Sequence, residues 1–237
     1  TCPRTVERAA PFCGVEMAAQ GSNVPRSPSH QGSYVLFYTP DKRDRSILRH
    51  DPFKAIIAPR PIGWVTTMGS DGAINLAPYS FFNAFADRPP ILAFSSVGVK
   101  DSLTFARETR EFVWNMPTWD LRHEMNQTSA TLPRGENEFT HAGLEMAPCN
   151  LVKPPRVARS PVAMECKVTD IQELKDIEGR GTDYWLVLGQ VVGVHIDPSY
   201  IDEKGELRIT EIKPIARCGG PGDYAVVDDL FQMERPG

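Results

Sequence analysis

The sequence predicts a mainly β protein, an antiparallel barrel with short helical insertions. The first clear element is a hairpin, in which the β-rich run 62–67 (IGWVTT) is turned back by 69–72 (GSDG) onto 73–77. Further β-rich runs recur along the chain, and hairpins or short helical stretches link them. A doubly wound sheet would need regular strand–helix–strand units instead, so the pattern favours an antiparallel barrel.

The elements after this hairpin are predicted from periodicity and from turn residues. In chain order they are a buried strand at 91–96, a helix at 100–110, a strand at 111–116, a polar helix at 118–130, a helical turn near 136–141, two long strands at 161–174 and 183–196, and a last strand within 206–220.

The first 33 residues differ in composition from the remainder of the chain. They are rich in Pro, Ser, Gly and other small residues, which is typical of segments without a packed core. We therefore expect a loosely ordered N-terminal arm at 1–33 and one domain at 34–237.

Composition excludes several classes of protein. The net charge of −4 and the pI of about 5.8 argue against a nucleic-acid-binding protein, which would carry a basic face. No apolar run approaches the roughly 18 residues of a membrane span. The five cysteines are odd in number and form no CxxC pair, so we expect reduced thiols and a cytoplasmic protein.

Common catalytic and metal-binding motifs are missing from the sequence. No GxGxxG follows a strand, and there is no GxxxxGK[ST], HExxH or GxSxG. The five histidines are scattered without metal-ligand spacing, so no metal site is predicted.

The stretch 75–83 (NLAPYSFFN) combines aromatic residues with amides and a proline. Pro78 cannot donate to a β-ladder, so we expect it to break the strand and free neighbouring main-chain groups. Those groups could read the polar edge of a planar ring. The alternative is a strand end with aromatic side chains in the core.

A second informative stretch is Lys100-Asp101-Ser102 at the predicted helix start. Free N–H groups, the helix dipole and a lysine together make an anion site. The alternative is an ordinary N-cap beside a solvated lysine. Taken together, the two stretches suggest a ligand with a phosphate at one end and a flat heteroaromatic ring at the other, as in FMN.

Five segments in this order resemble the flavin reductase-like family: APRPIGWVTT (58–67), NLAPYSFFN (75–83), a strand led by two prolines, KDS (100–102) and EFVWN (111–115). The resemblance runs from about residue 50 to 220. It implies the FMN-binding split β-barrel, an antiparallel barrel of the Greek-key type.

The resemblance also implies a set of FMN-binding residues. The isoalloxazine would be lined, largely through main-chain groups, by Thr66, Thr67, Asn75, Ala77 and Pro78, with Ser80 and Phe82 flanking the ring and ribityl chain. The phosphate would be held by Ser95, Ser96, Lys100, Asp101 and Ser102, with Arg60 nearby. Relatives often carry Asn where Phe105 stands, so one polar contact is missing from this phosphate shell.

By this resemblance we expect an FMN-dependent oxidoreductase that takes electrons from NADH or NADPH, forms a homodimer and serves a flavin-dependent monooxygenase or another acceptor. No side-chain acid or base is required, because the cofactor carries the chemistry. His195, at a strand end, either approaches the ring or is a structural histidine. Two alternatives stay open: a flavoredoxin-like electron carrier without nicotinamide activity, and a non-catalytic ligand-binding barrel.

Overall fold

The computed structural model describes residues 35–133 and 136–237. The predicted arm at 1–33 lies outside the described residues. The chain divides into two compact units, Thr1–Asp44 and Arg45–Gly237. The described part of the first unit contains a 3-10 turn at Pro40–Lys42.

Twelve strands are described in the second unit. They are β1 Arg60–Pro61, β2 Gly63–Met68, β3 Ile74–Tyr79, β4 Phe82–Asp87, β5 Pro90–Val97, β6 Glu111–Asn115, β7 Met146–Ala147, β8 Arg156–Val157, β9 Val162–Lys175, β10 Gly181–Ile196, β11 Ile215–Arg217 and β12 Tyr224–Val226.

The helical elements are short. They are α1 Phe53–Ile56, α2 Asp101–Thr109, α3 Arg122–Gln127, α4 Glu138–His141 and α5 Ile209–Ile212, with 3-10 turns at Trp119–Leu121 and Pro198–Tyr200.

Seven strands form one antiparallel sheet in the order β3-β2-β6-β9-β10-β5-β4. Its two outer strands, β3 and β4, are consecutive in the chain and are separated only by Ser80 and Phe81. Because so short a link joins the two edges, the sheet must curl until they meet, which makes it a barrel. The predicted antiparallel barrel with helical insertions is confirmed.

Two apolar clusters hold the barrel and its attachments together. The first fills the barrel, and α2 contributes Leu103 and Ala106 to it beside Phe94 and Phe112 from the strands. The second packs α3 and α4 against the other face of β2 and β3, around Trp64. The helix α2 is thus fixed over the barrel interior, close to β2 and β3.

The first hairpin forms as predicted. Strands β2 and β3 pair in register, and Gly69 N–H donates to the carbonyl of Ala73 at 2.8 Å across the turn. Gly72 has φ of +86°, a conformation that glycine adopts without a Cβ clash. The predicted strands at 91–96, 111–116, 161–174 and 183–196 and the helix at 100–110 are present within one or two residues.

The expectation that Pro78 breaks the strand is wrong. Strand β3 runs through it to Tyr79, and Pro78 lies opposite Trp64 of β2. Because β3 is an edge strand of the sheet, one of its sides makes no ladder bonds, and a proline there removes none.

Other elements also differ from the sequence prediction. Strand β4 had no counterpart in it, and its residues beyond Phe82 are exposed. The predicted strand within 206–220 is reduced to β11, preceded by the helical turn α5. The polar helix predicted at 118–130 is a 3-10 turn followed by the six-residue α3.

Among residues 35–133 and 136–237, no helix has the length and apolar character needed to cross a membrane.

Candidate functional site

A polar cleft of about 390 Å³ opens between α2, β3 and the segment after α3; we call it the first cleft. Its lining residues come from four separate parts of the chain. They are Asn75, Ala77, Pro78, Tyr79, Lys100, Asp101, Ser102, Thr128, Ser129, Ala130, Thr131, Leu132 and Glu138. Six of these belong to the predicted FMN set: Asn75, Ala77, Pro78, Lys100, Asp101 and Ser102.

The N-terminus of α2 faces the first cleft. Lys100 occupies the N-cap position in an extended conformation, and its side chain does not cap the helix. The first N–H groups of a helix have no partner within the helix, so an uncapped start offers donors to a ligand. With the exposed Lys100 ammonium beside it, this end of the cleft is suited to an anion.

A buried network of polar side chains forms the floor of the cleft. Asn75 Nδ2 donates to Ser102 Oγ at 2.6 Å. The hydroxyl of Tyr79 hydrogen-bonds to both Ser102 and Ser96. Burial raises the pKa of Tyr79, despite these two hydrogen bonds, which lower it, so the phenol stays protonated at neutral pH. The network fixes Ser102 at the helix start.

Thr67 adds an unsatisfied hydroxyl next to this network. It lies opposite Asn75 in the β2–β3 ladder, so the two side chains are on the same face of the sheet. Its Oγ1 is buried and has no hydrogen-bond partner among the described residues. Thr67 is nevertheless fully buried and is not one of the residues that line the first cleft.

Glu138 brings a carboxylate to the wall of the cleft. Its Oε2 accepts the N–H of Leu76 on edge strand β3 at 3.0 Å. Burial raises the pKa of Glu138, and nearby Asp101 raises it further. The Glu138 carboxylate therefore accepts a main-chain N–H that has no partner strand, and its raised pKa favours the protonated form.

Several residues of the predicted set lie outside this cleft. Ser96 is buried beneath it as a partner of Tyr79. Ser95 is on the opposite face of β5, because neighbouring residues of a strand point to opposite sides. The Ser95 Oγ is buried and has no hydrogen-bond partner in the described part of the chain.

Two further predicted residues have protein partners in the interior. Thr66 is fully buried, and its Oγ1 accepts from Asn115 Nδ2 at 3.0 Å. Arg60 is also buried; its Nη1 donates to the carbonyls of Lys54 and Ile57 and so holds α1 in place.

Ser80 and Phe82 lie at the link between the barrel edges. Ser80 is partly exposed in that link. The Phe82 ring stacks on Trp114 with centroids 5.7 Å apart. It fits there because residue 63 is glycine; a Cβ on Gly63 would come within 2.7 Å of the Phe82 ring.

His195 is held by a buried carboxylate. Its Nε2 lies 2.7 Å from Glu165 Oε1, and the same carboxylate accepts N–H groups of Asn150, Leu151 and Val152. A donor atom of Cys149 lies within 4.8 Å of the other two side chains, so the three form a candidate metal-ligand group. Burial raises the pKa of the Cys149 thiol to about 11. His195 does not line the first cleft.

Sequence reasoning missed the wall formed by 128–132 and the role of Tyr79. The segment 128–132 carries no motif; it follows α3 to the cleft, where Thr128 Oγ1 accepts from Trp64 Nε1 at 2.9 Å. Tyr79 was visible as an aromatic residue of the 75–83 stretch, but its hydroxyl partners depend on how α2 packs on β3.

The fold and the cleft define an antiparallel barrel protein with a polar cleft against one edge strand. The flavin reductase like domain matches residues 57–208, well over half of the chain. The protein belongs to the flavin reductase-like family, as its sequence motifs predicted.

Similar proteins cover most of the chain. The uncharacterized protein YwrF of Bacillus subtilis (strain 168) is 34% identical over 185 residues, which are 76% of this chain and 89% of YwrF. Nitrilotriacetate monooxygenase component B from Bacillus cereus is 29% identical with a TM-score of 0.76, covering 85% of this chain and all of that one. The 2-nitrobenzoate 2-nitroreductase NbaA from Pseudomonas fluorescens is 27% identical with a TM-score of 0.73, covering 85% and 96%.

A more distant structure supports the type of barrel. A protein with a split barrel domain from Shewanella frigidimarina NCIMB 400 has a TM-score of 0.72 at 19% identity and covers 85% of this chain and all of that one. The predicted split β-barrel is therefore confirmed.

Proposed function

We propose that this protein binds FMN in the first cleft and acts as an oxidoreductase of the flavin reductase type. The observation that carries the proposal is the uncapped start of α2, where Lys100 and Ser102 line the same cleft as Ala77 and Pro78 of β3. Lys100 gives the cleft a positive charge beside the carboxylates of Asp101 and Glu138, and Ala77 and Pro78 add small and apolar wall. Its volume of about 390 Å³ lies in the range of small-molecule sites.

The residues present fit FMN. Lys100, the Ser102 hydroxyl and the N-terminal amides of α2 would hold the phosphate. The small Ala77 and the ring of Pro78 would let the isoalloxazine approach the backbone of β3. When bound, FMN supplies the ability to accept a hydride and to pass electrons onward.

The chain's own contribution is to bind and orient. The network of Asn75, Ser102 and Tyr79 fixes the helix start before a ligand arrives, which reduces the entropy lost on binding. Because the Tyr79 phenol stays protonated, it adds no negative charge near the phosphate. No side-chain proton transfer is needed in this scheme.

We further propose NADH or NADPH as the electron donor, a homodimer as the working form and the cytoplasm as its location. The family and the likeness to a monooxygenase component support a flavin-dependent monooxygenase as partner. The likeness to a 2-nitrobenzoate 2-nitroreductase supports a small aromatic acceptor as the alternative. The free thiols of Cys149, Cys166 and Cys218 suit a reducing compartment.

The test starts with FMN titration followed by flavin absorbance and fluorescence. The FMN-loaded protein is then mixed anaerobically with NADH and, separately, with NADPH. Bleaching of the flavin band by either donor supports the reductase, whereas FMN binding without bleaching indicates an electron carrier. Absence of FMN binding at high micromolar concentration would refute the proposal.

A further inference from the structure

Three side chains of the kinds that bind transition metals meet outside the first cleft. Cys149 comes from the segment after β7, Glu165 from β9 and His195 from β10. The thiol sulfur, a carboxylate oxygen and a ring nitrogen all lie within 4.8 Å of one another. None of the three residues lines the first cleft, so an inference about them does not rest on the proposed function.

The register of β9 and β10 fixes two of the three ligand atoms. His195 pairs with Ala163 and Gly193 pairs with Glu165, so Glu165 and His195 are diagonal neighbours on one face of the sheet. The glycine leaves room beside the carboxylate, because a Cβ on Gly193 would lie only 3.2 Å from Glu165 Oε1. His195 Nε2 occupies that side of the carboxylate, 2.7 Å from Oε1.

The Glu165 carboxylate is held in position by main-chain groups. Its Oε2 accepts the N–H of Leu151 at 2.6 Å and that of Val152 at 2.9 Å, which leaves Oε1 directed at His195. Carboxylates that bind metals are commonly oriented by such hydrogen bonds. The Glu165 side chain is only 1% exposed, so solvent screens its charge poorly and a cation beside it would be strongly attracted.

Cys149 supplies the third ligand atom. It follows β7, whose pairing with β8 places Arg156 opposite Ala147, and the main-chain N–H of Arg156 donates to the Cys149 sulfur. That hydrogen bond favours the thiolate, the form in which a cysteine binds metals. Burial nevertheless raises the pKa of the Cys149 thiol to about 11, so a metal ion must displace the thiol proton.

This ligand set suits Zn²⁺, which takes sulfur, nitrogen and oxygen ligands in a tetrahedron with bonds of about 2.0–2.3 Å. Such bonds place the ligand atoms roughly 3.3–3.6 Å apart. The 2.7 Å contact between His195 and Glu165 would therefore open slightly, while the sulfur would move closer to both. The His195 side chain is 21% exposed, which gives an ion and a water molecule access from solvent.

We propose that Cys149 Sγ, Glu165 Oε1 and His195 Nε2 bind one Zn²⁺ ion, with water as the fourth ligand. The imidazole binds with its proton on Nδ1, and the thiol proton passes to solvent. The ion ties the segment that begins at Cys149 to strands β9 and β10. The three ligands are far apart in the sequence, which is why motif spacing did not indicate a site.

Co²⁺ is the probe for this site, because it takes the same ligands as Zn²⁺ and absorbs light. The full chain is stripped with EDTA and titrated with Co²⁺, and difference spectra against the metal-free protein remove any flavin absorbance. We expect a thiolate-to-cobalt charge-transfer band that saturates at one ion per chain. Added Zn²⁺ should abolish the band, since Zn²⁺ generally binds such ligands more tightly than Co²⁺.

Two ligand variants and a matched thiol variant assign the band. Cys149→Ala should abolish it. His195→Gln should weaken Co²⁺ binding by at least about tenfold, as even the loss of an outer hydrogen bond does. The glutamine can still donate to Glu165, which preserves the fold. Cys218→Ala removes another partly exposed free thiol, which is not in the cluster, and should titrate like the parent.

Thermal melts distinguish a metal site from a purely structural polar cluster. Zn²⁺ should raise the melting temperature of the parent, EDTA should reverse the rise, and neither ligand variant should respond. The inference is overturned if the parent shows no charge-transfer band, or if the band persists in Cys149→Ala and so belongs to other cysteines. Melts in EDTA show whether each variant is folded; if Cys149→Ala is not, unweakened binding by His195→Gln overturns the inference.

Discussion

Lys100 provides the positive charge of the first cleft. Among the described lining residues it is the only lysine or arginine, while Asp101 and Glu138 bring carboxylates to the same wall. An anion in the cleft therefore depends on Lys100 and on the amides of α2 to outweigh those carboxylates. The sequence placed this lysine correctly at a helix start, because N-terminal signals are local.

Replacing Lys100 with Ala should separate the phosphate end of FMN from the ring end. We expect FMN binding to weaken by about 1–3 kcal/mol, since a charge-assisted contact to a dianion is lost. Riboflavin has no phosphate and should bind the variant and the parent alike. Parallel fluorescence titrations of both ligands test this, and an equal loss for the two would contradict the placement of Lys100.

Ala77 tests the ring end of the same cleft. It lines the cleft from β3, opposite Val65 of β2. Ala77→Leu should weaken FMN binding at least about tenfold, or 1.4 kcal/mol, because the larger side chain occupies space that the ring needs. Ser80→Ala, a mild change just outside the cleft lining, should alter FMN binding by about 1 kcal/mol or less. Unchanged binding by a folded Ala77→Leu protein would show that β3 has only a structural role.

At the scale of elements, local signals predicted most of the barrel and non-local packing decided the rest. The first hairpin and the strands β9 and β10 carry their own turn residues and periodicity, so the sequence sufficed. The prediction for Pro78 was wrong because a proline removes a ladder hydrogen bond only where that side of the strand is paired. Only the sheet order shows that β3 is an edge strand. The wall at 128–132 was missed for a similar reason, since it follows α3 to the cleft and contacts Trp64 there.

Glu165 ties the segment at 150–152 onto β9 and β10 and makes an element-scale prediction. Burial alone would raise its pKa, but the three backbone N–H groups and His195 together hold the pKa below its usual value of 4.5. A lowered pKa in the folded state means that the stabilisation is fully present above pH 4.5 and is lost as pH falls through the folded-state pKa.

We therefore expect Glu165→Gln to destabilise the protein by about 3 kcal/mol near neutral pH, because it leaves buried donors poorly matched. The difference between variant and parent should shrink as the pH is lowered below 4.5, where the parent carboxylate also takes up a proton. Urea unfolding across this range measures both effects. Asp170→Asn, which changes an exposed carboxylate on the same strand, is the control. A difference that stays constant with pH would contradict the ionised state assigned to Glu165.

At the scale of the whole molecule, the first cleft exists only in the folded chain. Its walls come from β3, from the start of α2, from 128–132 and from α4, which are distant in sequence and meet through the two apolar clusters. An unfolded chain therefore has no equivalent site, and a ligand of this cleft must stabilise the native state through mass action.

FMN at 100 times its Kd should raise the free energy of unfolding by about 2.7 kcal/mol. For a chain of this size that corresponds to a rise of roughly 5–10 °C in the melting temperature. Lys100→Ala should show a smaller rise at the same FMN concentration, because its fractional saturation is lower, and recover part of it when more FMN is added. Differential scanning calorimetry over an FMN series measures this dependence. A melting temperature that does not change with FMN concentration would contradict binding to the folded barrel, even if added flavin were reduced in an activity assay.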